Sequence, residues 1–582
     1  MIKSGSGINW IITNLTNATH SESIEISGNV KLFIEKRDNN CIRSFENNLT
    51  IYYEGYVLVQ SGKGKRSAID SISFIRELYL VYKDDFINHI KGIFVIIIID
   101  GPVFSIFNDQ LGIRKYFYYI KDRQFIISNS IREISGFIKC SPDKNAIGTY
   151  LLLNYFISDY TYYKEIKKST PASGLAYSER IYFRTYWDFN SLLTDRDSTI
   201  SYQKICDKLI EILEQYLREL NITKPFITLT GGLDSRLLLA LFLKIGVRPD
   251  IISYGNPESG DVKTAKDIAN KFNLEFNNPD LNISDVGRFN EVSSDIIRSG
   301  QTLASIYRSY RYLSIRQMRD DVDALFGGYM GGEIIRGLHY EKMIFSEGLN
   351  LLWKEGLNED VLKKIFLKFH IDPEQFELDK IIEIISESNI LPKEGNIKDS
   401  EFNIIFNIAI YLHHAQDINL YSTLGVQTFP LFMDIDYLKI VFLSSHSFLF
   451  RTNLTGNQFK RINIQDFHCN LIRLLNPKLA RINFNYGYSA NLYLKSKFLY
   501  VVKRAYLKKF GKKAVSGFKY GDWYKTFLIK KLQEGANSTM STIFDMNKMI
   551  EILEKSNVGY SESDYLPYTK AVNLLLIEEN SA

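Results

Sequence analysis

The segment between residues 226 and 272 constrains the fold most, because it alternates strand-type and helix-type patterns with short connections. A β-type run at residues 226–229 is followed by the turn T-G-G-L-D-S, residues 230–235, and by an apolar helix that Gly246 ends. A second strand at residues 251–254 and a second amphipathic helix repeat this order. The alternation predicts a doubly wound parallel sheet, in which ligands bind beyond the carboxyl ends of the strands.

The T-G-G-L-D-S turn lies at such a carboxyl end and predicts phosphate binding. Its two adjacent glycines let backbone N–H groups point at an anion, and the helix that follows adds its positive end. The hydroxyls of Thr230 and Ser235 can donate to the same anion, and the carboxylate of Asp234 can hold Mg²⁺ against it. No Gly-Lys-Ser/Thr follows, so this is not a Walker A loop. A tight turn with a helix cap is the alternative, but the position between a strand and an apolar helix favours phosphate.

The chain before residue 197 is predicted to be β-rich. Short alternating runs separated by turn residues fill residues 30–128, and residues 93–99, IFVIIII, are apolar on both faces. We therefore predict a central strand there that is covered on each side. An aromatic helix is predicted at residues 149–163. A helical period begins after residue 197, which places a domain boundary there, and the rest of the chain beyond residue 300 is predicted to be mainly helical.

Composition argues against several classes of protein. The chain has 71 Lys and Arg against 66 Asp and Glu, and a net charge of +5 over 582 residues provides no broad field for nucleic acid. The basic stretch from Lys495 to Lys519 is interpreted as a solvated helix face. The four cysteines are far apart in sequence, which indicates neither a disulfide framework nor a zinc site. Because no apolar run approaches the roughly 18 residues of a membrane span, we predict a cytoplasmic protein with neither nucleic acid nor membrane as a partner. The sequence does not indicate an oligomeric state.

Residues 227–240, ITLTGGLDSRLLLA, resemble the pyrophosphate loop S-G-G-x-D-S of the asparagine synthetase family, with Thr230 where serine is usual. Further segments resemble the same family in its order: N-D-Q-L-G-I-R at 108–114, the strand and helix start at 125–134, R-T-Y-W at 184–187, S-Y-G at 253–255, the helix at 261–269, Q-D at 416–417 and G-V-Q-T-F-P-L at 425–431. Members of this family cleave ATP between its α and β phosphates, attach AMP to a carboxylate and let an amine attack the acyl-adenylate. The resemblance therefore implies an amide ligase with ATP and Mg²⁺ as cofactors, a small-molecule or peptide carboxylate and an amine.

The resemblance also implies an α/β and α+β organisation in three regions. Residues 1–196 would be a β-rich glutaminase-like domain of the Ntn type, residues 197–495 a doubly wound ATP-pyrophosphatase (PP-loop) domain, and residues 496–582 a helical C-terminal extension. Glutaminases of the family use an N-terminal cysteine, whereas residue 2 is Ile and the first cysteine is Cys41. We therefore expect no glutaminase activity. In this the chain is similar to β-lactam synthetase and the lasso-peptide cyclases.

Roles for single residues follow from the same resemblance. Pyrophosphate would be held by Thr230, Gly231, Gly232 and Ser235, a phosphate contacted by Arg236, the adenosine side lined by Ser253 and Tyr254, and the metal held by Asp234. The second acidic loop of the family, G-x-G-x-D-E, matches residues 328–333, G-Y-M-G-G-E, which puts Gly332 where a metal-binding Asp is expected. Glu333 is then the candidate for the second metal ligand.

Three more residues are candidates for the chemical steps. Tyr329 lies in the second loop, where a related enzyme deprotonates the amine with a tyrosine. Lys478 or Arg481 would neutralise charge that develops at the acyl-adenylate. His413 and His414 are adjacent on a predicted helix and point to different sides, so packing is favoured over metal binding.

Three other functions remain open from the sequence. One is an asparagine synthetase that uses ammonia from solution or from a partner glutaminase. Another is a cyclase or ligase in natural-product, peptide or surface-polysaccharide synthesis. The third is a pseudoenzyme that keeps the fold to bind a nucleotide or a partner, for which Gly332 in place of Asp is the best support. The intact T-G-G-L-D-S loop argues against the pseudoenzyme.

Overall fold

The computed structural model describes residues 9–15, 23–34, 41–46, 48–63, 70–193, 197–279, 286–337, 346–392, 397–450, 463, 465–485, 487–510, 522–555 and 562–580. The strands are β1 Trp10–Thr13, β2 Ser23–Ser27, β3 Val30–Ile34, β4 Ile42–Ser44, β5 Leu49–Val59, β6 Ile90–Asp100, β7 Val103–Asn108, β8 Phe117–Lys121, β9 Gln124–Ser128, β10 Lys167–Lys168, β11 Ser173–Tyr177, β12 Ile181–Thr185, β13 Pro225–Thr228, β14 Asp250–Ile252, β15 Phe276–Asn277, β16 Ala324–Phe326 and β17 Gln427–Phe429.

The helices are α1 Ser71–Tyr82, α2 Ile131–Phe137, α3 Lys144–Leu153, α4 Tyr202–Glu219, α5 Asp234–Lys244, α6 Gly260–Phe272, α7 Val286–Ser299, α8 Ser309–Met318, α9 Glu333–Arg336, α10 Glu347–Glu355, α11 Glu359–Lys368, α12 Leu378–Glu387, α13 Ile397–Ile404, α14 Ala415–Thr423, α15 Ile435–Leu443, α16 Asp466–Leu475, α17 Ala490–Lys495, α18 Lys497–Phe510, α19 Asp522–Glu534, α20 Met546–Lys555 and α21 Glu562–Glu579. A π-helical segment, Ile405–His414, joins α13 to α14.

The N-terminal part contains two antiparallel six-stranded sheets, ordered β10-β8-β9-β1-β3-β2 and β12-β11-β7-β6-β5-β4. The sheets pack face to face, because alternate residues of β6 such as Val95 and Ile97 share one buried cluster with Ile12 and Ile127 of the other sheet. The remaining β6 residues, among them Ile96, lie in a second cluster under α1. Helices α2 and α3 cover the outer face of the first sheet. The predicted central strand, covered on both faces, is therefore confirmed.

The parallel sheet has five strands in the order β15-β14-β13-β16-β17. β13 lies in the middle, and every neighbouring pair is parallel. Helix α5 connects β13 to β14, and α6 connects β14 to β15, as the strand–helix alternation predicts. The chain then returns to the other side of β13 with β16, so the strand order reverses there. In doubly wound sheets the ligand crevice opens at this reversal, outside the carboxyl ends of the two strands.

Helices make up most of the chain after β16, including its C-terminal region. The last helix, α21, is buried: Ala571, Leu574 and Ile577 are fully covered, and Asn573 Oδ1 accepts a hydrogen bond from Ile306 N–H at 3.0 Å. A helix that is apolar on several sides is covered by its neighbours rather than by water. None of the helices within the described ranges is long and apolar enough to cross a bilayer.

One local prediction from the sequence is wrong. The aromatic stretch predicted as a helix at residues 149–163 is helical only to Leu153, because Asn154 adopts a left-handed conformation, φ 70°, and ends α3. Residues 300–480 are mainly helical, as predicted, but they also supply β16 and β17 of the parallel sheet. Both are three-residue strands. The predicted runs at residues 30–128 otherwise form β3 and β5 to β9.

Candidate functional site

Two glycine-rich loops meet where the parallel strand order reverses. The first is the T-G-G-L-D-S loop, residues 230–235, between β13 and α5; the second, residues 327–332, leads from β16 into α9. A Cβ atom on Gly328 would lie 3.0 Å from the backbone nitrogen of Ser235, and one on Gly331 would lie 2.9 Å from Cβ of Asp234. Glycine at both positions therefore lets the second loop pack directly on the start of α5.

Hydroxyl groups shape the first loop. The backbone N–H of Thr230 donates to Ser235 Oγ at 3.1 Å, and the N–H of Gly232 donates to Thr230 Oγ1 at 3.2 Å. The N–H of Gly231 donates to Asp261 Oδ1 at 2.9 Å, so this donor already faces an anionic oxygen. Thr230 is exposed and the loop precedes the N-terminus of α5, whose first N–H groups have no partner within the helix. Phosphate binding by this loop stays a prediction, because the N–H groups of Thr230, Gly231 and Gly232 donate within the protein in this structure.

Asp234 lies at the start of α5, beside the side chains of His468 and Arg336. Its Oδ1 is 3.0 Å from Nε2 of His468, which is fully buried on α16. Burial alone would raise the pKa of Asp234, but the hydrogen bond and charge of His468, followed by the charge of Arg336 and the N–H of Gly332, lower that pKa below its ordinary value. Asp234 is therefore ionised at neutral pH. Nothing in the sequence indicates a site role for His468, a single histidine more than 200 residues away.

Of the two predicted magnesium carboxylates, the structure places Asp234 at the start of α5 and Glu333 at the start of α9. At Gly332, where the second carboxylate is expected, an added Cβ would lie 1.8 Å from Nη2 of Arg336, so the guanidinium of Arg336 occupies that side-chain space. Burial, His468, Arg336 and Gly332 have the largest effects on the pKa of Asp234. Within the described ranges, no cluster of three or more His, Cys, Asp or Glu side chains could hold a metal. A magnesium site shared by Asp234 and Glu333 stays a prediction.

Tyr329 projects from the second loop against His414. Their ring centroids are 5.4 Å apart in an edge-on arrangement. Burial, followed by the charge of Asp417, raises the pKa of Tyr329 well above its ordinary value, which keeps the phenol protonated at neutral pH. Burial and the charge of Arg308 lower the pKa of His414 to about 3, so this imidazole is neutral. His413 Nδ1 lies 2.6 Å from the hydroxyl of Tyr155, and the ring of His413 contacts that of His414 edge-on with centroids 4.9 Å apart, so the two rings are neighbours and do not point to different sides as predicted.

A buried charge cluster lies behind Tyr329. Arg308 Nη1 and Arg311 Nη1 donate to the same oxygen of Asp417, Oδ2, at 2.6 and 2.8 Å. The side chain of Arg311 is 37% exposed, whereas that of Asp417 is 1% exposed. The two guanidinium groups face one carboxylate, which leaves one net positive charge. Asp417 belongs to the Q-D segment at residues 416–417 that resembles the family, whereas neither Arg308 nor Arg311 was predicted as a site residue.

Arg311 has a donor left for a ligand. Its Nε donates to the hydroxyl of Tyr310 at 2.9 Å, and its Nη1 donates to Asp417. Among the described residues, none accepts a hydrogen bond from Nη2 of Arg311 by the contacts that the structure shows. Arg311 also acts on the charges of Tyr254 and Tyr329. The half-exposed guanidinium of Arg311 is therefore suited to bind an anionic group of a substrate beside the two loops.

Ser253 and Tyr254 follow β14, next to the first loop's strand, where the adenosine side is predicted. Ser253 is 1% exposed and its N–H donates to the carbonyl of Asn277 at 2.9 Å. Burial raises the pKa of Tyr254, and the charge of Arg311 and a hydrogen bond with Tyr421 offset part of this increase. Tyr254 therefore lies beside the arginine cluster as well as at the end of β14, and contact with adenosine stays a prediction for both residues.

The guanidinium of Arg236 makes its hydrogen bonds inside the protein. Its side chain is fully buried, and its Nη1 and Nη2 donate to the carbonyls of Ile482 and Asn483 at 2.6 and 3.0 Å. These bonds anchor the segment that ends at Asn485, whose Nδ2 donates to Asp261 at 2.8 Å beside the first loop. The guanidinium of Arg236 therefore positions this segment, and a phosphate contact by Arg236 stays a prediction.

Lys478 and Arg481 lie just before that anchored segment, and both are exposed. Among the residues that the structure describes, neither side chain shows a hydrogen bond or an ion pair. The structure brings their segment to the loop through Asn485, but it does not place one of the two cations on the site in preference to the other. Both stay predictions for the acyl-adenylate step.

The N-D-Q-L-G-I-R segment forms a tight turn in the N-terminal part. The carboxylate of Asp109, fully buried, accepts hydrogen bonds from the N–H groups of Leu111, Ile113 and Arg114 at 3.1, 3.0 and 2.9 Å. The side chain of Arg114 then crosses to α14, where it donates to Asn419 Oδ1 at 3.3 Å. This turn therefore helps to join the antiparallel sheets to the helix that carries Asp417.

No family model and no curated protein matches the chain. Among solved structures, it is similar to one titled the allosteric regulatory enzyme of purine biosynthesis, with 10% identity over 59% of this chain and 72% of that one, at a TM-score of 0.21. It is also similar to glutamine phosphoribosylpyrophosphate amidotransferase from B. subtilis complexed with ADP and GMP, with 10% identity over 59% of this chain and 73% of that one, at a TM-score of 0.20. These similarities are too weak to indicate a function, so a proposed function must rest on the geometry of the site.

Proposed function

We propose that this protein is an ATP-dependent amide ligase of the asparagine-synthetase type. The observation that carries the proposal is the placement of the T-G-G-L-D-S loop: it lies at the reversal of the parallel strand order, and the second glycine-rich loop packs on it. ATP would bind with its phosphates at residues 230–235. Magnesium is proposed as the ion that accompanies the phosphates of ATP, with Asp234 and Glu333 as its candidate protein ligands; the guanidinium of Arg336 occupies the space of a carboxylate at Gly332.

The proposed reaction has two steps. In the first, an oxygen of the substrate carboxylate attacks the α-phosphorus of ATP, the bond to the bridging oxygen of the β-phosphate breaks, and pyrophosphate leaves. In the second, an amine nitrogen attacks the acyl carbon, the amine loses a proton and AMP leaves. Backbone N–H groups and hydroxyls of residues 230–235 would stabilise charge on the departing pyrophosphate.

Arg311 supports a place for the acyl substrate. Arg311 acts on the charges of Tyr254 and Tyr329, and the cluster with Arg308 and Asp417 keeps one net positive charge there. Asp234 acts on the charge of His414, which connects this cluster to the ATP loop. We propose that the carboxylate to be activated lies between the cluster and the loop, with Tyr329 beside it.

The N-terminal part is proposed to keep the glutaminase-like Ntn-type architecture without its nucleophile. Two antiparallel sheets packed face to face, with helices on the outer faces, support this proposal. The proposed domains are residues 1–196, 197–495 and 496–582. The amine would then come from a substrate or from ammonia, and an asparagine synthetase is the special case in which the carboxylate is aspartate.

A nucleotide-binding protein without turnover is the second candidate, and one observation favours it. The guanidinium of Arg336 fills the space of the carboxylate that is absent at Gly332. This exchange places a positive charge near Asp234, where a catalytic metal site would need a second negative one.

Pyrophosphate release from Mg-ATP by the purified protein tests the proposal. Aspartate with ammonium is tried first, followed by amino acids, β-amino acids, uronic acids and short peptides. We expect release that needs one class of carboxylate, and a loss of roughly 100-fold or more in Asp234→Ala. Asp267→Ala, which removes an exposed carboxylate from α6, is the matched control and should keep full activity. ATP binding without release for any carboxylate would favour the second candidate, and no ATP binding would sink both.

A further inference from the structure

Helix α18 presents an apolar face to solvent. The exposed fractions are 75% for Phe498, 52% for Leu499, 49% for Val502 and 61% for Tyr506, and Phe498 is the most exposed large hydrophobic side chain of the described residues. At the helical spacing these four side chains cover an arc of about 100°. Tyr500, on the other side of the helix, is 4% exposed. A surface helix ordinarily turns polar side chains to water, whereas this face of α18 turns apolar side chains to water. An exposed apolar patch of this kind marks an interaction site.

The same region has an extreme charge. Residues 495–521, which contain α18 and its flanks in sequence, include nine basic residues: Lys495, Lys497, Lys503, Arg504, Lys508, Lys509, Lys512, Lys513 and Lys519. No Asp or Glu occurs between Asp466 and Asp522. Lys509 is exposed on the side of α18 that carries Phe498, Lys495 is exposed at the end of α17, and Lys497 is paired with Asp466. A solvated basic helix, the interpretation from the sequence, does not account for the apolar side chains among these cations.

We propose that α18 docks the protein on an anionic lipid surface, with the helix lying in the plane of the headgroups. Its 14 residues are too few to span a bilayer. They are enough to insert Phe498, Leu499 and Val502 at the boundary of headgroups and acyl chains. Lysine side chains can extend from such a helix to lipid phosphates while their methylene groups cover apolar surface. This inference is independent of the proposed amide ligase activity.

Charge and composition favour lipid over other occupants. A two-fold contact between two copies would bring the same cationic surfaces together, and like charges repel. Protein interfaces are depleted in Lys, whereas eight of the nine basic residues here are Lys. Nucleic acid would engage the cations through its phosphates and leave Phe498 and its apolar neighbours in water. An anionic bilayer accepts both the charge and the apolar face.

Co-sedimentation of the purified full chain with lipid vesicles tests the proposal. One vesicle preparation is phosphatidylcholine alone, and the other contains phosphatidylglycerol as well. We expect binding to the anionic vesicles that weakens as salt is raised. Replacing Lys495, Lys503 and Lys509 with Gln should lower the partition coefficient by about 5-fold for each residue. The variant Phe498→Ser, Leu499→Ser and Val502→Ser should lose binding.

Leu80→Ser with Val81→Ser is the matched control, because these α1 side chains are 51% and 71% exposed and lie on another surface. This control should bind vesicles like the unmodified protein, and unchanged thermal melting of every variant shows that the fold is kept. Absence of binding to anionic vesicles at low salt overturns the proposal, as does binding that survives the triple Ser change. A dimer in solution that this triple change converts to a monomer, without vesicle binding, would assign the face to a second copy instead.

Discussion

Replacing Lys91 with Met should destabilise the protein by about 3–5 kcal/mol, because it breaks a buried ion cluster. Nζ of Lys91 lies 2.9 Å from Asp434 and 2.7 Å from Asp436, and all three side chains are at most 5% exposed. The cluster joins β6 to the start of α15, so it ties the antiparallel sheets to the parallel-sheet region. Met keeps much of the length of Lys91, and the loss therefore comes mainly from two carboxylates that stay buried without their cation.

The loss should depend on pH with a defined sign. Burial alone would lower the pKa of Lys91, but Asp434 and Asp436 raise it, and Lys91 in turn lowers the pKa of Asp436 against the effect of burial. Without Lys91, burial and mutual repulsion raise the folded-state pKa of both carboxyl groups above the unfolded value. A raised carboxyl pKa costs stability at higher pH, and this cost falls as the groups bind protons. The difference between Lys91→Met and the unmodified protein should therefore shrink from pH 8 towards pH 5.

Urea denaturation followed by tryptophan fluorescence at both pH values measures the effect. Lys83→Met is the matched control: Lys83 lies 3.2 Å from Asp100, but its side chain is 65% exposed, so we expect a change of about 1 kcal/mol or less. Adding Asp436→Asn to Lys91→Met should restore part of the stability. The reasoning is wrong if Lys91→Met is no less stable than Lys83→Met, or if its deficit grows as the pH falls.

Two more predictions concern the substrate cluster and the last helix. Arg311→Lys should raise the KM for the activated carboxylate about 10- to 100-fold, the range for a lost charged hydrogen bond, with the KM for ATP unchanged in the pyrophosphate assay; equal changes in both would contradict an acyl-substrate role. Burial lowers the pKa of Lys570 to about 7, below its unfolded value, so stability should rise with pH between 7 and 10 by up to about 1.4 kcal/mol per pH unit from this group. Lys570→Met should remove that rise in urea denaturation, whereas Lys555→Met, at an exposed site, should keep it.

Most strands of the N-terminal part could be predicted because their side chains record which face is covered. Residues of β6 are apolar on both faces of the strand, and each face packs into its own buried cluster. Strands β16 and β17 could not be predicted in the same way, because a three-residue strand within a helical region has too few residues to show a period. The end of α3 was missed because a left-handed Asn154 stops a helix whose apolar pattern continues.

The first loop of the site could be predicted because its residues are contiguous and its neighbours in sequence define its place in the sheet. His468 and Arg311 could not, because each is a single residue that only the tertiary fold brings to the loops or to Asp417. A lone histidine on an apolar helix resembles core packing, and a lone arginine resembles a surface charge. Nothing in the spacing of either residue distinguishes a site from those ordinary roles.

Gly332 and Arg336 occupy linked positions beside Asp234. Taken alone, glycine at this position suggests a lost metal ligand. In the structure an added Cβ at residue 332 would lie 1.8 Å from Nη2 of Arg336, one helical turn later, so an aspartate at 332 and this position of the guanidinium exclude each other. The glycine therefore admits a cation that lowers the pKa of Asp234. A positive charge therefore lies next to Asp234 and the loop of residues 230–235, where it favours the binding of an anion.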